Sequence, residues 1–417
     1  MACNQRSNKF WSRYPKLGNL FLFVISVGTP ALSLGESSSH FSNLLTTVHA
    51  QITPPTTINL EDEASVSVNF LPIDREFQRF LDQNDFFDGI SYVLVDANGV
   101  IHQNYFGDHH KDTVVMLAST SKVPAVMTLL ALGEDPSSNF SIDQQVGEIF
   151  SVKGVYGDRT PKELLSNTSG IPGLNSLFLY GDHLCQFSYS AIVDFEDCGQ
   201  TILTKKLHGS RPTGTAFDYG GSQWQLAGVS ASVAANASWN HLVDRYLGDP
   251  CDLEVFTFGN MWENLNRWNG MPDSLLGIHN PHIGGGAISN LADYAKLLQV
   301  HLNGGFCGEQ QVLSNDAIAS MRENLGGAVI DNPTPYGMGW WISEKNPDVY
   351  YDPGAFGSIS FIDVARGFGG YVAIDDYSRT NASAPITLVR GTIIPLLQEA
   401  IDTARKSVIQ STVALSS

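Results

Sequence analysis

The chain has 417 residues, 43% of them hydrophobic, with 39 glycines and a formal net charge of −18. That length and apolar content can bury one large core or two smaller ones, which excludes a disordered chain. The acidic balance argues against nucleic acid and anionic membrane surfaces as partners, because both attract basic patches, and no apolar run of about 18 residues predicts an internal membrane span.

Residues 1–16 carry Arg6, Lys9, Arg13 and Lys16 without an acid, and an apolar run over residues 20–27 leads to small residues and Pro30. This pattern predicts a secretory signal peptide within residues 1–35, cut there or as late as Ala50, with an uncleaved N-terminal anchor as the alternative. The chain is therefore expected to be exported, periplasmic or secreted. Residues 36–70 read as a flexible leader. Beyond Cys3, the cysteines are Cys185, Cys198, Cys251 and Cys307. Cys185 and Cys198, nearest in sequence, are the expected pair, although four cysteines permit three pairings and free thiols also fit.

Residues 72–84 are predicted to form an amphipathic helix through Ile73, Phe77, Phe80 and Leu81. Residues 90–95 and 100–105 flank Asp96-Ala97-Asn98-Gly99, a β-hairpin signature. Next comes the chain's sole Ser-x-x-Lys, Ser119 and Lys122. Apolar residues at Val123, Val126, Met127 and Leu130 predict a helix buried along one face, and Pro124 belongs in its first turn, so the start falls near Thr120 with Ser119 at or beside the N-cap. Residues three apart on a helix share a face, with β-carbons about 5–6 Å apart, so the lysine can reach the serine hydroxyl. No acid shares that turn, and a buried amine without a carboxylate tends to lose its charge, as a general base must.

Residues 160–280 are loop-rich, with helices expected at 223–235 and 239–247. Strands are expected at 336–342, 358–362, 369–374 and 386–389, and a closing helix at 393–408. The expected architecture is α/β of the α+β kind. A mainly antiparallel sheet is built from both chain ends (71–160 with 281–417) and flanked by helices, around a largely helical insertion at 161–280. No Gly-x-Ser-x-Gly elbow and no His-Glu-x-x-His pattern occurs. Asp108-His109-His110-Lys111-Asp112 reads as a solvated loop, so no metal and no cofactor is expected.

Several stretches together resemble the β-lactamase-related serine hydrolases, which include class C β-lactamases, D-alanyl-D-alanine peptidases and esterases of the same fold. Besides Ser119 and Lys122, these are residues 164–173 (Leu-Leu-Ser-Asn-Thr-Ser-Gly-Ile-Pro-Gly, with Asn167 where histidine is usual), the glycine-rich entry to a helix at 284–298, and Tyr-Gly-Met-Gly-Trp at 336–340. The resemblance covers about residues 85–400 and implies a β-lactamase/transpeptidase-like fold. It also places Tyr219, in the block 212–228, on the catalytic tyrosine of the Tyr-x-Asn motif. Gly221 replaces that motif's asparagine, with Ser222 or Gln223 as candidates to substitute. The third motif, a strand with Lys-Thr-Gly, His-x-Gly or Trp-x-Gly, is best matched by Ala355-Phe356-Gly357. That match makes Gly357 and the Ser358 N–H, together with the Ser119 N–H, the expected oxyanion hole. The missing cation argues against substrates that present a carboxylate. A small ester, amide or lactam is the expected substrate, most consistently in an esterase or amidase. A β-lactamase or D-Ala peptidase, and a sensor that kept the fold but lost catalysis, are the alternatives.

Overall fold

The computed structural model describes residues 68–173, 180–376 and 381–416; the expected leader over residues 1–67 lies outside them. Helix α1 (Leu71–Gln83) buries Ile73, Phe77 and Phe80. It precedes the hairpin of β1 (Gly89–Asp96) and β2 (Gly99–Gly107). The Asp96 carboxylate closes the turn by accepting the N–H groups of Asn98 (2.8 Å) and Gly99 (3.1 Å), the role that places Asp at tight turns. After β3 (Val115–Met116), a 3-10 turn, Ala118–Ser121, feeds helix α2 (Lys122–Glu134). Every residue of α2 from Lys122 to Leu132 is buried, so the expected single buried face is instead burial all round, as for a helix running through a core.

Between α2 and the second half of the sheet lie the helices Pro161–Leu165, α3 (Phe195–Thr204) and α4 (Gly221–Ala235), then β4 (Thr257–Phe258) and β5 (Ala287–Ser289). Helix α5 (Leu291–Leu302) is capped by Asn290, whose side chain accepts the Asp293 N–H. The hairpin β6 (Phe306–Cys307) and β7 (Gln310–Gln311), β8 (Trp341–Ile342), β9 (Val349–Pro353), β10 (Ile359–Asp363), β11 (Phe368–Ala373) and α6 (Ile394–Ser416) complete the chain. The main sheet has the order β2-β1-β11-β10-β9-β8. All its pairings are antiparallel, including β1 with β11, which joins the two chain ends. A second sheet, β3-β5-β4, ties the turn that carries Ser119 to the middle of the chain.

One apolar layer covers the outer face of the main sheet, where Phe77, Ile393 and Leu397 pack on Ile90, Phe361 and Val372. A larger cluster fills the inner face and runs from Val93 through α2 and α4 to Tyr371. Two expectations are corrected here. Residues 386–389 are helical, within Ser383–Leu388 and the turn that follows. Ile386, Val389, Ile393 and Leu397 recur at helical spacing and bury one stripe on the outer face, so periodicity outweighs β-branching. Only Trp341–Ile342 of residues 336–342 is a strand, because Gly339 (φ +83°) turns the chain so that Tyr336 bridges Trp341. Strand β9, unexpected from sequence, lines the site described next.

The two disulfides are Cys185–Cys198 and Cys251–Cys307. No helix among the described residues is long and apolar enough to cross a membrane.

Candidate active site

Ala118 adopts a left-handed conformation (φ +48°), an uncommon state for a residue with a Cβ, and residues held in such states cluster at functional positions. It turns the chain so that Ser119 heads α2. The turn is fixed from three sides. Ser121 Oγ donates to Ala118 O (2.6 Å) and accepts the Ala287 N–H (3.0 Å). Tyr294 Oη donates to Thr120 O (2.9 Å), and Thr120 Oγ1 donates to Asp352 O on β9 (3.0 Å).

Within this frame Lys122 Nζ lies 3.2 Å from Ser119 Oγ and donates to Gly284 O at 2.5 Å. Lys122 is 3% exposed, and burial pulls its amine down to about 8 against the opposing pull of Asp352. Its Nζ stands 4.9 Å from the Tyr219 ring centroid and 5.3 Å from that of Trp224. The Tyr219 hydroxyl faces Ser119; burial first, then the Asp352 carboxyl, raises it well above an ordinary phenol, so it stays protonated near neutrality. The three residues expected at the site are thus brought together. Ser119 and Tyr219 keep partial exposure while Lys122 is enclosed.

The Tyr219 loop is held by Asn167, itself left-handed (φ +58°), a conformation asparagine tolerates. Its Oδ1 accepts from Trp224 Nε1 (3.2 Å), Gln223 Nε2 (3.3 Å) and the Gly220 N–H (3.4 Å). Neither suggested substitute for the motif asparagine is available to Lys122. Gln223 is engaged by Ser169 Oγ and Asp218 O (both 2.5 Å), and Ser222 Oγ is bonded to Gln186 Nε2 (3.1 Å).

The third element needs a correction. Gly357 (φ +99°) lies against Ile374 and Pro385, and the Ser358 hydroxyl donates to Ile374 O (3.0 Å). The segment that meets the Ser119 turn is three residues earlier, Asp352-Pro353-Gly354. A Cβ on Gly354 would stand 2.2 Å from Leu117 O and 2.9 Å from Thr120 Oγ1, so only glycine lets the strand approach this closely. Asp352 is fully buried, and the Lys122 charge and the Val123 N–H are the groups that stabilise its carboxylate. Burial pushes it well above the carboxylate range, with Lys122 opposing. The sequence signal was present in Val349-Tyr350-Tyr351, three strand formers ahead of Pro-Gly.

A family model described as Beta-lactamase matches residues 73–385. The chain belongs to the beta-lactamase family. None of the curated proteins matches it significantly in sequence. Among solved structures it is similar to a candidate beta-lactamase of Bacteroides dorei DSM 17855 (22% identity, TM-score 0.60, covering 74% of this chain and 91% of that one). It is also similar to the octameric penicillin-binding protein homologue of Pyrococcus abyssi (15%, TM-score 0.59, 78% and 77%), and to EstCE1, a hydrolase with promiscuous acyltransferase activity (15%, TM-score 0.59, 75% and 95%). At these identities the likeness establishes the beta-lactamase fold. Among the described residues of this beta-lactamase-family chain, no group of three or more His, Cys, Asp or Glu side chains could hold a metal ion. In the 108–112 segment, Lys111 and Asp112 are exposed, but His109 is buried against Ser91 Oγ (Nδ1 at 3.0 Å), so that loop is only partly solvated.

Proposed function

We propose that the chain is a serine acyl hydrolase, an esterase or amidase, with Ser119 as nucleophile, Lys122 as base and Tyr219 as proton relay. The observation that carries this reading is the 3.2 Å contact between Ser119 Oγ and an enclosed Lys122 amine whose burial favours the neutral form. Ser119 Oγ bonds to the acyl carbon while its proton passes to Lys122; the tetrahedral adduct collapses, and the leaving group departs with a proton returned through Tyr219. Water then attacks the acyl-enzyme and restores Ser119. The oxyanion would be held by the Ser119 N–H and a second donor. That donor falls to the Ala355 N–H, because Pro353 has none and the Gly354 N–H is bonded to Ser358 O (2.7 Å).

The strand facing the nucleophile turn offers an acid, Asp352, and no cation. This supports a neutral acyl substrate over a carboxylate-bearing lactam or peptide. A family VIII carboxylesterase is among the similar folds (17% identity, TM-score 0.54). The two disulfides support export to an oxidising compartment. The substitutions at Gly221 and Asp352 favour, as a second reading, a sensor without turnover.

The test is labelling of the purified chain with a fluorophosphonate and a fluorescent penicillin, beside turnover of p-nitrophenyl butyrate. Labelling at Ser119 by the fluorophosphonate alone, with turnover abolished in Ser119→Ala, is the expected result. Penicillin labelling would redirect the reading to lactam or D-Ala peptide substrates, and no labelling by either probe would favour the sensor.

A further inference from the structure

Gly221 stands where the motif resemblance places an asparagine, and the space beside its Cα is occupied. A Cβ there would lie 2.1 Å from Gln186 Oε1 and 3.3 Å from His282 Nε2. Both side chains are enclosed, at 0% and 4% exposure, and Gln186 Oε1 and both His282 ring nitrogens have no hydrogen-bond partner. Buried polar atoms left without partners are costly, and several converging on one place call for an explanation beyond packing.

The surroundings of His282 point to Lys122. His282 lies two residues before Gly284, whose carbonyl accepts from Lys122 Nζ, and a Cβ on Gly284 would be 3.5 Å from that nitrogen. Burial, with the Lys122 charge adding to it, holds His282 down at about 3, so it is a neutral ring at working pH, with one nitrogen able to accept. Gln186 is fixed in place. Its Nε2 donates to His183 O (2.9 Å) and Ser222 Oγ (3.1 Å), and its backbone carbonyl accepts from Asn260 Nδ2 (3.1 Å). Its neighbour Cys185 is bonded to Cys198 on α3. Gln186 and Gly221 are thus brought together from distant parts of the sequence by a helix and a disulfide.

We propose that Gln186 and His282 are positioning residues of this active site: they supply the buried acceptors for which Gly221 leaves room, and the Cys185–Cys198 disulfide keeps Gln186 there. This rests on the reading of Ser119 and Lys122 as the proton-transfer pair. When Lys122 takes the serine proton it becomes an ammonium inside an enclosure, and acceptors already oriented stabilise that charge without reorganisation.

The test uses the full chain, p-nitrophenyl butyrate and three variants. Gln186→Leu is expected to lower kcat about tenfold with KM within about twofold, the signature of an interaction made in the transition state. Gln186→Glu, which preserves shape, is expected to move the rising limb of the pH–rate profile to higher pH, because a carboxylate in the enclosure shared with His282 would favour the Lys122 ammonium. A position 186 out of electrostatic reach of Lys122 would leave that limb unmoved. The double variant Cys185→Ser/Cys198→Ser is expected to lose kcat as Gln186→Leu does. Wild-type kcat and an unmoved pH limb in both Gln186 variants overturn the proposal, and if the leucine variant does not fold, the glutamate variant decides alone. Wild-type kcat in a folded double-cysteine variant overturns the role of the disulfide. Ser119→Ala, assayed alongside, separates the claims: retained turnover there overturns the reading of the site itself, whereas its loss beside wild-type Gln186 variants overturns only this proposal.

Discussion

On the outer face of the six-stranded sheet, Phe77, Ile90, Phe361, Val372 and Leu397 form an apolar layer whose polar groups are paired, as in the Tyr92 hydroxyl donating to Asp74 at 2.7 Å. On the inner face, around α2 and α4, the core encloses Gln186 and His282, whose Oε1 and ring nitrogens lack partners. Among the described residues, no such unpartnered atom belongs to the outer layer. Both faces exclude water, but buried polar atoms without partners fall outside the outer layer, beside Lys122 at His282 and elsewhere at Trp239 and His301 among others.

The largest expected break in this comparison is Lys122→Ala. Loss of the base should reduce kcat/KM by about 10²- to 10⁴-fold while the melting temperature holds, measured by steady-state kinetics and circular dichroism. In the wild type, the same lysine should produce a rising limb of kcat/KM with an apparent pKa of about 8, since only the free amine accepts the serine proton. A flat profile from pH 6 to 9 would assign the base elsewhere.

On the outer face, Phe77→Ala should show the reverse pattern. Phe77 is fully buried, and truncating such a phenylalanine costs about 3–5 kcal/mol of stability, read by denaturant unfolding, with kcat per folded molecule unchanged. A changed kcat would mean that the two faces are coupled.

The smallest effect is Asp352→Asn. The folded carboxyl, raised by burial, keeps a proton that the unfolded chain releases above its ordinary pKa of about 3.9. The folded state therefore binds more protons, and stability falls as pH rises from that point towards the folded pKa. The asparagine variant lacks this slope and should melt higher at pH 7–8 than the wild type. An equal or lower melting temperature would indicate an ion pair with Lys122.

Legibility followed sequence distance. The hairpin around Asn98-Gly99, α1 and α4 were readable from local signals, because turns and amphipathic stripes are set by neighbouring residues. Residues 386–389 misled because β-branched residues suit either state until a face to cover is known. The third motif was placed on Ala355-Phe356-Gly357 because those residues match a glycine pattern. The structure sets Gly354 against Leu117 O through a contact that spans more than 200 residues of chain.

The sequence by itself determined the closeness of Ser119 and Lys122, since one helical turn fixes how far apart they lie whatever surrounds them. Tertiary structure alone decided the environment of that pair. Gly284, 162 residues away, accepts from the amine. Asp352 lies close enough to act on its charge, and Gln186 fills the space beside Gly221. Proton affinity inside a protein depends on burial and on neighbours through space, and neither is written in the spacing of residues along a chain.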